Sequence, residues 1–206
     1  MTDTTATKDK LLEAALYNAP FDGWSRKTLA LAADETGVDP AEARTLFPAA
    51  GDDLLRHLDE WADRQMLKGL AGLDLDAMRV RERIEAGLWL RLHALAPHRE
   101  AVRRAVPTRI WPGNALYASQ ATWRTADRLW DAAGDDATGP SRYSKRALVA
   151  GVYVATFLYW LEDRSEDQED TRGFLQRRIA EVMRVGSAPG RLLGGFGRFN
   201  PLRRPG

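Results

Sequence analysis

The sequence predicts an all-α protein, on three observations. Apolar residues recur at three- and four-residue intervals from end to end, and no stretch alternates apolar and polar residues for long. Proline and glycine punctuate these stripes, at Gly37, Pro48, Pro97 and Gly134. The 206 residues contain no cysteine, which excludes disulfides, thiolate metal sites and cysteine nucleophiles together and leaves packing to hold the fold. A chain of this length buries a real core without stapling.

Each element follows from local pattern. Leu11, Leu12, Ala15 and Leu16 make the first stripe; Leu29, Ala32 and Ala33 make the second, closing at Gly37. The third helix is the best punctuated, with Asp39 as N-cap, Pro40 at its first position, Glu42 in a capping-box-like place and Pro48 as stop. Three short helices with a glycine turn predict a helix-turn-helix-type head over residues 1–50. A helical body over 51–186 follows. Leu54, Leu55, Leu58, Trp61, Ala62 and Met66 stripe its first helix, and Val80, Ile84, Leu88, Leu92 and Leu95 its second. A short helix near 98–106 runs into a Pro107–Pro112 kink. The segment 114–133 carries Leu116, Trp123, Ala126 and Trp130 on one side. After the polar loop GDDATGPSR, the apolar run ALVAGVYVATFLYWL sits in a helix over 141–163; its fifteen residues fall short of the ~20 that span a bilayer, so it reads as a buried helix. The acidic turn SEDQEDT precedes a last helix striped by Phe174, Leu175, Ile179, Val182 and Met183, and residues 187–206 read as a Gly- and Arg-rich tail.

Thirty Lys and Arg against 29 Asp and Glu leave the chain near neutrality, so any nucleic-acid or lipid-surface role must come from local clustering. The first ten residues have no apolar secretion core, contain Asp3 and Asp9, and lack Arg. They do not read as a secretory or mitochondrial leader, and the expected location is the bacterial cytoplasm, peripheral on the inner membrane.

Enzyme signatures fail. His57, His93 and His98 lie on separate segments with no Glu-x-x-His or two-His helical pair, there is no Gly-x-Ser-x-Gly elbow or P-loop, and Gly195-Phe196-Gly197 has no strand before it. No cofactor, metal or catalytic residue is expected. The head also lacks the charge of a DNA reader. Its five cations (Lys8, Lys10, Arg26, Lys27, Arg44) face eight acids, and the short third helix offers only Arg44 and Thr45 to a phosphate backbone.

Three apolar features remain. Five of the seven tryptophans, with Tyr153, Phe157 and Tyr159, fall in the body helices, which suits either ordinary core filling or a cavity for a long apolar ligand. Trp111-Pro112-Gly113-Asn114 puts an aromatic at a kink, where it can form a surface patch. In the tail, Leu192, Leu193, Phe196 and Phe199 share helical spacing with Arg191, Arg198, Arg203 and Arg204 around them. That basic amphipathic pattern suits an anionic lipid headgroup layer, although glycines costing ~1 kcal/mol each leave it without a helix of its own in water.

The motifs LLEAAL, PFDGWS, AADETGV, LFP, VRERIEA, WPGNAL, TADRLWDAAGD, YSKRALVAGVY, LYWLEDRSED and FLQRRIAEVM, in this order over residues 11–186, resemble the coenzyme Q (ubiquinone) biosynthesis lipid-binding accessory proteins, whose fold is that of tetracycline-repressor-type regulators. The resemblance implies a non-enzymatic homodimer that binds a polyprenyl lipid or quinone precursor at the membrane surface and presents it to the demethoxyubiquinone hydroxylase. It further implies a lipid cavity at Trp123, Tyr153, Phe157 and Trp160, a partner patch at Trp111, Pro112, Asn114 and Trp130, and membrane docking through Leu192, Leu193, Phe196, Arg198 and Phe199. This chain departs from the family pattern at Gly139-Pro140-Ser141-Arg142, before Tyr143, and in its short, glycine-broken tail. The competing reading is a ligand-responsive transcriptional regulator of the repressor type, which would bind DNA through the head.

Overall fold

The structure, a computed structural model, describes residues 4–135 and 139–186. Among them are nine α-helices joined by short turns, with no strand. In the head, α1 (Thr4–Asp22) buries Leu11, Leu12, Ala15, Leu16 and Ala19, the predicted stripe carried one turn further. α2 (Arg26–Thr36) starts where the Ser25 side chain accepts the Thr28 amide, and ends at Gly37, whose φ of 68° lies in the left-handed region that glycine reaches without a Cβ penalty. α3 (Pro40–Leu46) is capped as the sequence predicts: the Asp39 carboxylate accepts the amides of Ala41 at 2.7 Å and Glu42 at 3.1 Å.

The body begins with α4 (Gly51–Ala71), followed by α5 (Val80–Leu95), α6 (Arg99–Ile110), α7 (Pro112–Ala132), α8 (Gly139–Glu162) and α9 (Glu169–Gly186). α5 starts where the Glu82 carboxylate accepts the Arg79 amide at 2.8 Å. Contrary to expectation, α6 does not stop near residue 106. It carries Pro107 inside and ends at Ile110, its final turn held by Arg109, whose guanidinium grips both oxygens of Asp59 on α4. The kink is confined to Trp111, which is extended (ψ 136°), and Pro112 opens α7 from the first helical position.

α4 packs on α5 and α7; α8 lies between α7 and α9; and α9 returns to α5. α1 seats on α4 and α6, and one hydrophobic cluster runs from Leu11 through Leu54, Leu88 and Leu129 to Ile179. Polar ties cross from head to body. The Trp24 indole donates to the Ala101 carbonyl at 2.8 Å, Arg104 to the Pro20 carbonyl at 3.1 Å, and Asp9 on α1 holds both His57 (2.6 Å) and Arg64 on α4. Gly51, the first residue of α4, lies so close to the head that a Cβ there would stand 2.2 Å from the Trp24 carbonyl oxygen.

The expectation that the apolar run of α8 is buried on all sides is corrected. Val149, Val152, Thr156 and Trp160 are buried, whereas Ala147, Gly151, Val154 and Leu158 lie on an exposed face, because no described helix covers that side. No described helix is long and apolar enough to cross a membrane.

Candidate ligand cavity and surface patch

The inward faces of α4 to α8 enclose a cavity of about 240 Å³. Its walls are apolar: Leu58 and Ala62 from α4, Leu95 from α5, Val102, Val106 and Ile110 from α6, Ala118 and Ala121 from α7, and Val154, Phe157 and Leu158 from α8. Ile110, Val154 and Leu158 are exposed as well as lining, so they mark the mouth. The volume lies below the ~300–1,000 Å³ that enclose a drug-sized ligand. A polyprenyl chain therefore cannot be enclosed whole.

Asp59, Arg91, Arg109, Thr125 and Tyr153 add polar groups to this lining. α4 places Asp59 and Asp63 one turn apart on its buried face, the i, i+4 relation that aligns two side chains. Arg91, fully buried on α5, donates to Asp63 at 2.9 Å and to the Tyr153 hydroxyl, and lies 3.5 Å from Asp59. Arg109 grips Asp59 at 2.8 and 3.0 Å. Asp63 also accepts from Thr125 (2.8 Å) and from the partly exposed Arg128 (3.0 Å). Burial alone would lower the pKa of both Arg91 and Arg109, but the facing Asp59 carboxylate, joined at Arg91 by Asp63, outweighs it and raises them, so both stay charged. Burial pushes the Tyr153 hydroxyl upward, so it keeps its proton.

The residues expected to hold lipid divide evenly. Tyr153 and Phe157 line the cavity, with ring centroids 5.9 Å apart. Trp160 does not: it is fully buried behind Phe157, and its indole donates to Gln168 at 2.6 Å, locking it into the α8–α9 turn. Trp123 does not either. It lies on the outer face of α7, 37 % exposed and stacked on Tyr143, because it falls on the opposite side of the helix from Ala121 and Thr125.

The expected partner patch comes apart similarly. Trp111 (71 % exposed) and Pro112 are on the surface beside the mouth residue Ile110. Asn114 is half-buried and structural, its amide donating to Asp52 at 3.2 Å and the Thr108 carbonyl at 3.3 Å. Trp130 is buried at 5 % exposure beneath Lys145, and eighteen helical residues at ~1.5 Å each separate it from Pro112. Its side chain is not part of the exposed surface around Trp111. Leu192, Leu193, Phe196, Arg198 and Phe199 lie outside the described residues.

The three histidines stand apart from one another, with His93 exposed. His57 pairs with Asp9, His98 packs edge-on against Tyr17, and no group of three metal-ligating side chains occurs among the described residues. The buried carboxylates were legible only indirectly: Asp59 and Asp63 fall within the apolar stripe of α4, and Arg91 within that of α5, where a charge requires a partner.

A model of the COQ9 family matches residues 115–186. Over 88 % of its length the chain is 30 % identical to the mitochondrial ubiquinone biosynthesis protein COQ9-A of Xenopus laevis, and over 86 % it is 30 % identical to rat COQ9 and 28 % to human COQ9. The chain is similar to COQ9 proteins. It spans 59 % of the length of the Xenopus and rat proteins and 58 % of the human one. The fold matches the crystal structure of a TetR transcriptional regulator from Nitrosomonas europaea with a TM-score of 0.71, at 24 % identity, over 86 % of this chain and 98 % of that one. The family resemblance and the tetracycline-repressor-like all-α fold read from the sequence are thus borne out.

The expected bacterial cytoplasmic location is not. The similar COQ9 proteins of Xenopus, rat, human and Drosophila are all mitochondrial. The inference failed because an import address is a removable segment read by a receptor, whereas Thr4–Lys10 are the first turns of α1 and answer to packing.

Proposed function

We propose that this COQ9-like protein serves ubiquinone biosynthesis as a non-enzymatic lipid-binding protein: it takes a polyprenyl quinone precursor from the membrane surface into the α4–α8 cavity and offers it to the demethoxyubiquinone hydroxylase. The observation that carries this reading is the apolar chamber opening between α6 and α8. A polyprenyl quinone loses ~0.8 kcal/mol per CH₂ brought into water, so an enzyme acting on its ring gains from a carrier that shields it. Trp111 and Pro112 stand beside the mouth, where a partner docking on them would face the opening. The uncovered face of α8, with Ala147, Gly151, Val154 and Leu158, suits a second copy of the chain and a homodimer through the last two body helices.

Mass spectrometry of organic extracts from freshly purified protein tests the carrier role; recovery of an isoprenoid quinone supports it, and empty protein that also refuses added quinone refutes it. Trp111→Ala is expected to weaken hydroxylase capture at least tenfold without changing the melting temperature, as removal of an exposed aromatic anchor does. Unchanged capture would move the docking surface elsewhere. The regulator reading shares the fold, but its head lacks the positive charge that DNA affinity requires.

A further inference from the structure

We infer that the last turn of α6, residues 107–110, is a flap over the chamber that swings at Pro107, is latched by Arg109 and carries Trp111 with it. This rests on the lipid-carrier reading and adds to it how the chamber opens and how its filling reaches the surface.

A wall has to give. About 240 Å³ is less than encloses a drug-sized ligand, so a long apolar molecule enters only if part of the lining moves aside. Most of the lining is anchored by burial: Leu58, Ala62, Leu95, Val102 and Tyr153 belong to the hydrophobic core, and moving them would bare apolar surface to water. The end of α6 is the exception. Its buried residues, Ala101, Val102 and Ala105, all precede Pro107; beyond it Thr108 and Arg109 are half-buried, and Ile110 and Trp111 are exposed. Pro107 lacks the amide that would bond back to the carbonyl of Arg103, and the backbone turns extended at Trp111, so this turn is loosened at both ends. Upstream of Pro107 the helix is fixed, with Ala101 tied to Trp24, Arg103 to the Leu161 carbonyl and Arg104 to the Pro20 carbonyl.

The latch is ionic and lets go without orphaning a charge. Among the described residues, three guanidiniums, those of Arg91, Arg109 and Arg128, face the two carboxylates of Asp59 and Asp63. One cation is surplus. Buried Arg91 stands 3.5 Å from Asp59 and 2.9 Å from Asp63, and Arg128 holds Asp63 at 3.0 Å from α7. When Arg109 withdraws, Asp59 keeps Arg91 and Asp63 keeps Arg128, while the departing guanidinium gains water in place of its partner. The two-point grip on Asp59, at 2.8 and 3.0 Å, fixes the closed position by geometry. The other polar ties on this turn, Arg109 to the Leu55 carbonyl at 3.5 Å and the Asn114 amide to the Thr108 carbonyl at 3.3 Å, are long. Ile110 lines the mouth and Trp111 follows it in the chain, so a turn that swings outward widens the entrance and displaces the exposed indole in one movement. A filled chamber is thereby displayed on the surface beside the mouth.

The chain has no cysteine, so nitroxide labels can be placed at chosen pairs. Two pairs share a reference on α4: Trp111→Cys with Lys68→Cys, and Glu100→Cys with Lys68→Cys. Double electron–electron resonance reads their separations in the whole chain with and without saturating decylubiquinone. The quinone is expected to change the 111–68 separation by about 5 Å, the pitch of one helical turn, and to leave the 100–68 separation as it was. Arg109→Gln, which leaves Asp59 with Arg91, should populate the shifted separation without ligand and speed quinone uptake, followed by tryptophan quenching in stopped flow, at least about fivefold. Arg104→Gln, which cuts a tie upstream of Pro107, should leave that rate unchanged. A label at 111 that stays still with quinone bound, equal movement at 100, or unaltered uptake in Arg109→Gln overturns the flap and leaves the carrier reading standing. A protein that binds no decylubiquinone overturns both. Should Arg109→Gln fail to fold, the two labelled pairs decide the matter.

Discussion

At the residue scale, the body is organised around charges that hydrophobic patterning hides. Asp63 is fully buried and accepts from Arg91, Thr125 and Arg128. Asp63→Ala would strand the Arg91 guanidinium in the interior, and a loss of about 3–5 kcal/mol is expected, read by urea unfolding at neutral pH. His57 predicts a pH dependence. Burial, the leading cause, lowers its folded pKa below the usual 6.5 even though the Asp9 carboxylate opposes the shift, and burial lowers His98 likewise. The unfolded chain then takes up protons first as the solution is acidified. Stability should be level above about pH 7 and decline as pH falls through 6.5 toward the depressed folded values. His57→Gln should reduce that slope; an unchanged slope would mean that His57 does not contribute to it. Single aromatics were read least well: Tyr153 and Phe157 went to the cavity, but Trp130 and Trp160 went to the core and Trp123 to the surface. Tryptophan suits all three environments, and spacing along one helix does not say which neighbour it meets.

At the element scale, starts and stops were legible where capping chemistry is local, as at Asp39, Gly37 and Pro112. They were not legible where a distant partner decides. α6 runs through Pro107 to the turn gripped by Asp59 from another helix, and α8 exposes a face that its apolar composition alone assigns to the interior. Close approach between helices is equally invisible in the sequence. Gly87 on α5 faces Leu129 of α7, and an added Cβ would come within 2.3 Å of its Cδ1 and 3.2 Å of Leu70. Gly87→Ala, although it favours the helix itself, is expected to cost about 1–3 kcal/mol by overpacking. A rise in melting temperature would show that Leu129 has room to rotate away.

At the scale of the whole molecule, the family was legible because ten motifs in order carry more information than any one of them. The compartment was not, since location is written in segments that packing does not constrain. The charge of the head leads to a prediction there too: at low salt, where phosphate attraction is strongest, the protein should not retard random duplex DNA. Retardation abolished by Arg44→Ala would restore the regulator reading. The seam between head and body carries a last consequence. The indole of Trp24, the guanidinium of Arg104 and the shared carboxylate of Asp9 fasten α1 to α4 and α6 at separate points, with Gly51 leaving no gap between them. A repressor signals by letting its reading heads swing when the chamber fills. Riveted in this way, α1 is expected to travel with α4 and α6 as one body, so that any shift of the body would carry the head along instead of swinging it.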